Sequence, residues 1–60
     1  MEIEIQRLGA TARAMGKSEI DNPYFAPDAV PAATGEAVES WAGKVEQWQL
    51  GWAIEDSIRH

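Results

Sequence analysis

Apolar positions along the chain fall into two helical patterns separated by a proline-punctuated stretch. Around residues 2–15, Met1, Ile5, Leu8, Ala12 and Met15 recur at spacings of three and four, one stripe of an α-helix. Gly16 follows directly and is placed to end that helix in the left-handed conformation. Lys17 then sits near the negative end of the helix dipole. Gly9 lies inside the helix at a cost of about 1 kcal/mol relative to Ala. Such a glycine is tolerable where another backbone comes close. The alternation at Ile3 and Ile5 is too short to make a strand.

Residues 35–59 form the second and longer helical pattern. Val38, Trp41, Val45, Trp48 and Trp52 repeat at 3, 4, 3, 4, the strongest periodic signal in the chain. Thr34 is placed as the N-cap. Glu36 and Glu39 occupy the early turns, where the dipole favours acids, and Glu55 to Arg59 has the favourable i,i+4 order. Leu50, Ile54 and Ile58 make a second stripe, pointing roughly opposite to the tryptophans. A helix that is apolar on two faces needs cover on both. The first helix can cover one of them. The connecting segment can cover part of the other, and what remains is a candidate dimer or partner face, with Gly43 and Gly51 near its edge permitting close approach.

The intervening residues 16–34 contain Pro23, Pro27 and Pro31, each without a backbone N–H, so no long helix runs through them. Asn22-Pro23 reads as a cap followed by proline at the first position of a short helical turn. Ile20, Tyr24, Phe25 and Val30 give the segment apolar residues to pack onto the helices. There is no internal repeat. The expected fold is all-α: one domain over residues 1–60, a two-helix antiparallel hairpin with a packed Pro-rich connection. The expected core is Leu8, Ala12, Tyr24, Trp41, Val45, Trp48 and Trp52. Three tryptophans at this spacing read as core, with indole N–H groups reaching carbonyls or the rim.

Size and charge narrow the function. A domain of 60 residues buries only about 60% of its unfolded surface and usually needs a staple. The chain has no cysteine, and its one histidine is His60, so neither disulfides nor thiolate metal sites are available. Tight packing or oligomerisation is left as the staple. The net charge is −5. Residues 1–17 carry a net +1 through Arg7, Arg13 and Lys17, whereas residues 18–60 set eight acids against Lys44 and Arg59. Acid excess disfavours non-specific nucleic-acid binding. Any anion or RNA contact would use Arg7, Arg13 and Lys17. No apolar run has the length of a membrane span, and the N-terminus lacks the features of a secretory signal. A cytoplasmic protein without membrane attachment is therefore expected.

Candidate chemistry is sparse. The five glycines are isolated, so no phosphate loop is present, and no Ser-His-Asp or Cys-His set exists. Glu55 and Asp56 diverge by about 100° on a helix and cannot share a substrate. No catalytic residue, metal site, cofactor or small-molecule substrate is expected.

One ordered set of residues carries a family resemblance: Gly9, Met15-Gly16, Asn22-Pro23-Tyr24, and Trp48-x-x-Gly51-Trp52-x-x-Glu55. It resembles the ribosome modulation factor family of short bacterial proteins, and is closer still to a broader group of small phage and mobile-element relatives. Some of that group have been proposed to phosphorylate fluoroquinolones, but no nucleotide site is visible in this chain. The resemblance implies a two-helix protein that binds the small ribosomal subunit and favours inactive ribosome dimers. It also implies that Pro23, Tyr24, Trp48, Gly51 and Trp52 are structural. Two departures stand out: this chain is acidic where the family is basic, and Asn22 replaces the family's cysteine. The expected function is a small non-catalytic, ribosome-associated regulator. The alternative is an acidic, phage-type protein-interaction module or inhibitor acting on a host protein, alone or as a homodimer.

Overall fold

The computed structural model describes residues 3–59. Two long α-helices, α1 (Ile3–Ala14) and α2 (Val38–Ile58), flank a connection of short turns. The connection contains 3-10 turns at Glu19–Asp21 and Pro23–Phe25 and one α-turn, Pro31–Thr34. No strand occurs among the described residues. The expected all-α class and the packing of the first helix on the last are both present.

The end of α1 is set by Gly16, as its position implies. Its φ is +84°. The Gly16 N–H donates to Arg13 and the Lys17 N–H reaches back to Ala12, at 2.9 and 3.0 Å. This pair of bonds is a Schellman motif and satisfies carbonyls that the helix leaves open. The expected start at residue 2, and Met1 of the apolar stripe, lie outside the described residues.

The antiparallel sense of the helix pair is corrected. Gln6 Nε2 donates to Gln47 Oε1. Gly9 lies against the backbone of Trp48 and Trp52. Arg13 Nε meets Asp56 Oδ1 at 2.7 Å. Partners on α2 therefore climb in number as positions on α1 climb, so the two helices run parallel. The connection makes the return journey. The Trp52 indole N–H donates to the Lys17 carbonyl, Asn22 Nδ2 to the Val45 carbonyl and the Trp41 indole N–H to the Tyr24 carbonyl, at 2.8, 3.3 and 2.8 Å. The chain thus descends along α2 before that helix begins. From Trp52 to Trp41 this is about 16 Å at 1.5 Å per residue, a distance the long connection spans easily. Short loops force neighbouring helices to be antiparallel, and this loop is not short.

Close approach of the two backbones explains the seam. A Cβ on Gly9 would run into the Trp48 carbonyl, and one on Gly51 would run into the carbonyl of Gln6. The two glycines therefore seat each helix in the other reciprocally. Gly51, expected near the edge of the outer stripe, instead makes its close approach to α1. Ile5, Ala12 and Trp48 form the buried cluster, with Tyr24 and Trp52 packed against it, and Val45 is also buried. Trp48 is only 2% exposed. Burying about 200 Å² of indole and stem is worth roughly 5 kcal/mol as an upper bound.

Leu8 is a second correction: it is 52% exposed instead of core. Seating Gly9 on α2 turns Ile5, Gly9 and Ala12 inward, and Leu8 lies about 100° round the axis from Gly9. Met15 is exposed for the same reason. Trp41 and Trp52 are half-buried, their indole N–H groups bonded to carbonyls as expected. Val38, the first residue of its helix, is exposed.

Thr34 does not cap the second helix. It closes the Pro31–Thr34 turn, which ends on Gly35 at φ +76°. The N-cap is Ala37, which has no side-chain oxygen to offer. Glu36, just outside the helix, supplies the local polar contacts instead. Ser40 Oγ donates to its carboxylate at 2.9 Å and Lys44 Nζ approaches at 2.7 Å. Those two bonds, Lys44 foremost, hold the Glu36 carboxyl below its ordinary value.

Candidate functional site

The connection packs on one side of the helix pair and leaves an open groove beside α1. Leu8, Met15, Pro23 and Trp48 line it, together with Lys17 and Asp21, and its volume is about 410 Å³. Each wall has a local cause. Leu8 stands on the α1 face that the glycine seam turned away from α2, and Met15 follows on the same side just past the end of α1. Pro23 is held by Asn22, which is buried. The Asn22 Oδ1 accepts from the Tyr24 N–H at 3.0 Å while its Nδ2 donates to Val45. One side chain thus caps the Pro23–Phe25 turn and ties it to α2. Tyr24 and Phe25 are positioned in turn, with the Phe25 ring edge-on to Trp41 at 6.5 Å.

The three cations expected to contact an anion are not gathered at one place. Lys17 lines the groove. The Arg7 side chain is 71% exposed and only 4.0 Å from Glu4, on the outer side of α1. Arg13 is used within the fold: besides its pair with Asp56, its guanidinium lies 5.8 Å from the Trp52 ring centroid. Six positions apart on a helix, Arg7 and Arg13 point about 120° away from each other.

Leu50, Ile54 and Ile58 are exposed along one side of α2. The connection does not cover them. Pro23, Tyr24, Trp48, Gly51 and Trp52 all lie at the seams between α1, α2 and the connection.

The groove was not read from the sequence. Leu8 and Met15 fitted the apolar stripe and were assigned inward. The available signal was Gly9, because a glycine chosen for close approach fixes which face of α1 turns in. Among the described residues no group of His, Asp or Glu is arranged to hold a metal, and no helix is long and apolar enough to cross a membrane. No protein-family model matches the chain, and neither a curated protein nor a solved structure matches it.

Proposed function

We propose that this chain is a small non-catalytic binding protein that receives an apolar side chain of a protein partner in the groove beside α1. The observation that carries this reading is the open apolar groove over Trp48, with the exposed Leu8 and Met15 at its edge. Its volume falls in the range of ordinary binding sites, roughly 300–1,000 Å³. Methionine adapts its shape to varied apolar surfaces, which suits a docking edge. Lys17 beside the groove adds a cation to the contact, and the acidic remainder of the surface disfavours nucleic acid as the main ligand.

The small ribosomal subunit is the partner in the second reading. It is favoured by the family resemblance, and by the exposed cations Arg7 and Lys17 on and just beyond α1. The residues that carry the resemblance have structural duties here, so they support the scaffold more directly than the ribosome.

The experiment is sedimentation of lysate containing tagged chain through a sucrose gradient, with Leu8→Asp/Met15→Asp and Arg7→Glu/Lys17→Glu variants alongside. Under the first reading the chain travels with one protein, and the groove variant loses it. Under the second it travels with small subunits, and the charge variant and high salt release it. A groove variant that keeps its partner sinks the groove assignment.

A further inference from the structure

Met15 lines the groove beside α1 and is 69% exposed. It stands just past the end of the helix, on backbone that is fixed from both sides. Its N–H donates to the Thr11 and Ala12 carbonyls at 3.0 and 3.1 Å, and Gly16 after it holds the left-handed turn. The side chain has no part in the buried cluster of Ile5, Ala12 and Trp48. Its sulfur is therefore open to reagents in solution, while the fold does not depend on what becomes of it. The chain has no cysteine and two methionines. A peroxide meets no thiol that would consume it first, and its attack on sulfur falls on Met1 and Met15.

We propose that Met15 is a reversible oxidation site that switches the groove off, a step that rests on the groove receiving an apolar side chain as proposed above. The co-reactant is a peroxide. The thioether sulfur attacks one peroxide oxygen, the O–O bond breaks, and that oxygen stays on sulfur. The other oxygen leaves with the electron pair of the bond and takes the proton of the first, as water when the oxidant is hydrogen peroxide. Sulfur gives up two electrons and the peroxide accepts them. The product sulfoxide is polar, where the thioether was apolar and adaptable. An apolar group entering the groove then strips water from the sulfoxide oxygen, and the Leu8 and Pro23 side chains beside it offer no hydrogen bond in return. A thiol-dependent sulfoxide reductase removes the oxygen again as water, and the groove reopens. Because the backbone at Met15 keeps its bonds in both states, the switch acts on binding and leaves the fold alone.

Hydrogen peroxide treatment of the full chain with peptide mass mapping tests the site, and titration with the neutral apolar dye N-phenyl-1-naphthylamine tests the groove. Met15 should take up one oxygen while circular dichroism and the thermal midpoint stay unchanged. Dye affinity should then fall roughly tenfold, and sulfoxide reductase with dithiothreitol should restore it. Met15→Leu should bind the dye like the parent and keep that affinity after peroxide. Met15→Gln should bind about as weakly as the oxidised parent without any peroxide. Leu8→Asp separates the switch from the groove itself. A reduced parent that takes up no dye, or a Leu8→Asp variant that binds it equally well, overturns the groove and the switch with it. If Leu8→Asp loses the dye but the oxidised parent keeps its affinity, the groove stands and the switch is overturned. Met15 left unoxidised while Met1 is converted also overturns it, as does an equal loss of affinity in peroxide-treated Met15→Leu.

Discussion

Alanine at each helical glycine gives the sharpest test of the packing described above, because the same substitution should act in opposite directions. In an open helix position, Gly→Ala gains about 0.5–1 kcal/mol from backbone entropy. Gly43 is such a position, with nothing within 4 Å of the added methyl. Gly43→Ala should therefore raise the unfolding midpoint by roughly 4–8 °C, as expected for about 1 kcal/mol in a domain of this size. Gly9→Ala and Gly51→Ala gain the same propensity, but the new methyl meets the Trp48 carbonyl in one and the Gln6 carbonyl in the other. Backbone atoms cannot rotate away, so the helices must separate and loosen Ile5, Ala12 and Trp48. Overpacking of this kind costs about 1–3 kcal/mol, and here it acts against rigid backbone, at the upper end. The net loss is about 2 kcal/mol, a large share of the ~3–9 kcal/mol that 60 residues supply. Thermal and urea unfolding followed by tryptophan fluorescence measures all three. If Gly51→Ala or Gly9→Ala matches Gly43→Ala in sign, the close-approach seam is wrong.

Three further outcomes follow from named contacts. Asn22→Ala removes the acceptor for the Tyr24 N–H and the donor to Val45. It should cost about 1–3 kcal/mol in urea unfolding, and a loss under 0.5 kcal/mol would refute the role given to Asn22. Arg13→Ala and Asp56→Ala in a double-mutant cycle should show a coupling of about 0.5 kcal/mol, modest because both side chains are more than a quarter exposed. Strictly additive effects would contradict the parallel register. Glu36 is held below its ordinary value near 4.5 by Lys44 and Ser40. Its folded carboxyl stays ionised at pH values where the unfolded one is taking up a proton. The stability it adds is present above the ordinary value and lost as pH falls through the lower folded value. Glu36→Gln should flatten the stability profile in that acid range, and identical profiles for parent and variant would rule the effect out.

Much of the scaffold was legible in the residues, but its sense was not. Gly16 marked the end of α1 because a left-handed residue after an apolar stripe has few other uses. Trp48 and Val45 declared themselves as core through their period. The direction of α1 relative to α2 depends on where the connection travels, and Asn22 sets that by reaching Val45. No local pattern encodes a bond between residues so far apart. Leu8 was misplaced because an apolar stripe defines a face only to within about one residue, and the seat of Gly9 on Trp48 decided between neighbouring settings. Thr34 looked like a cap because its residue type suits one. Gly35 directly after it ended the preceding turn instead, and left α2 to start on Ala37. The Leu50, Ile54 and Ile58 stripe was visible from spacing, but whether the connection covered it was not, because that depends on the path of the connection; all three are exposed.

The residues on which the resemblance was drawn have scaffold duties that an acidic chain can meet. Gly9, Gly16, Asn22, Tyr24, Gly51 and Trp52 are each engaged in a backbone contact, a turn or a bond to a carbonyl. Not one of these duties needs a net positive charge. The ion pairs Arg13 with Asp56 and Lys44 with Glu36 each use one charge of either sign. Overall charge can therefore invert while the seams hold, because surface charges outside such pairs contribute little to stability. Under the proposed reading, the binding positions are ones the scaffold leaves open: Leu8 and Met15 at the groove, with Lys17 beside it. Exchanging residues at the groove should change the partner before it changes the melting temperature. Exchanging the motif residues should do the reverse.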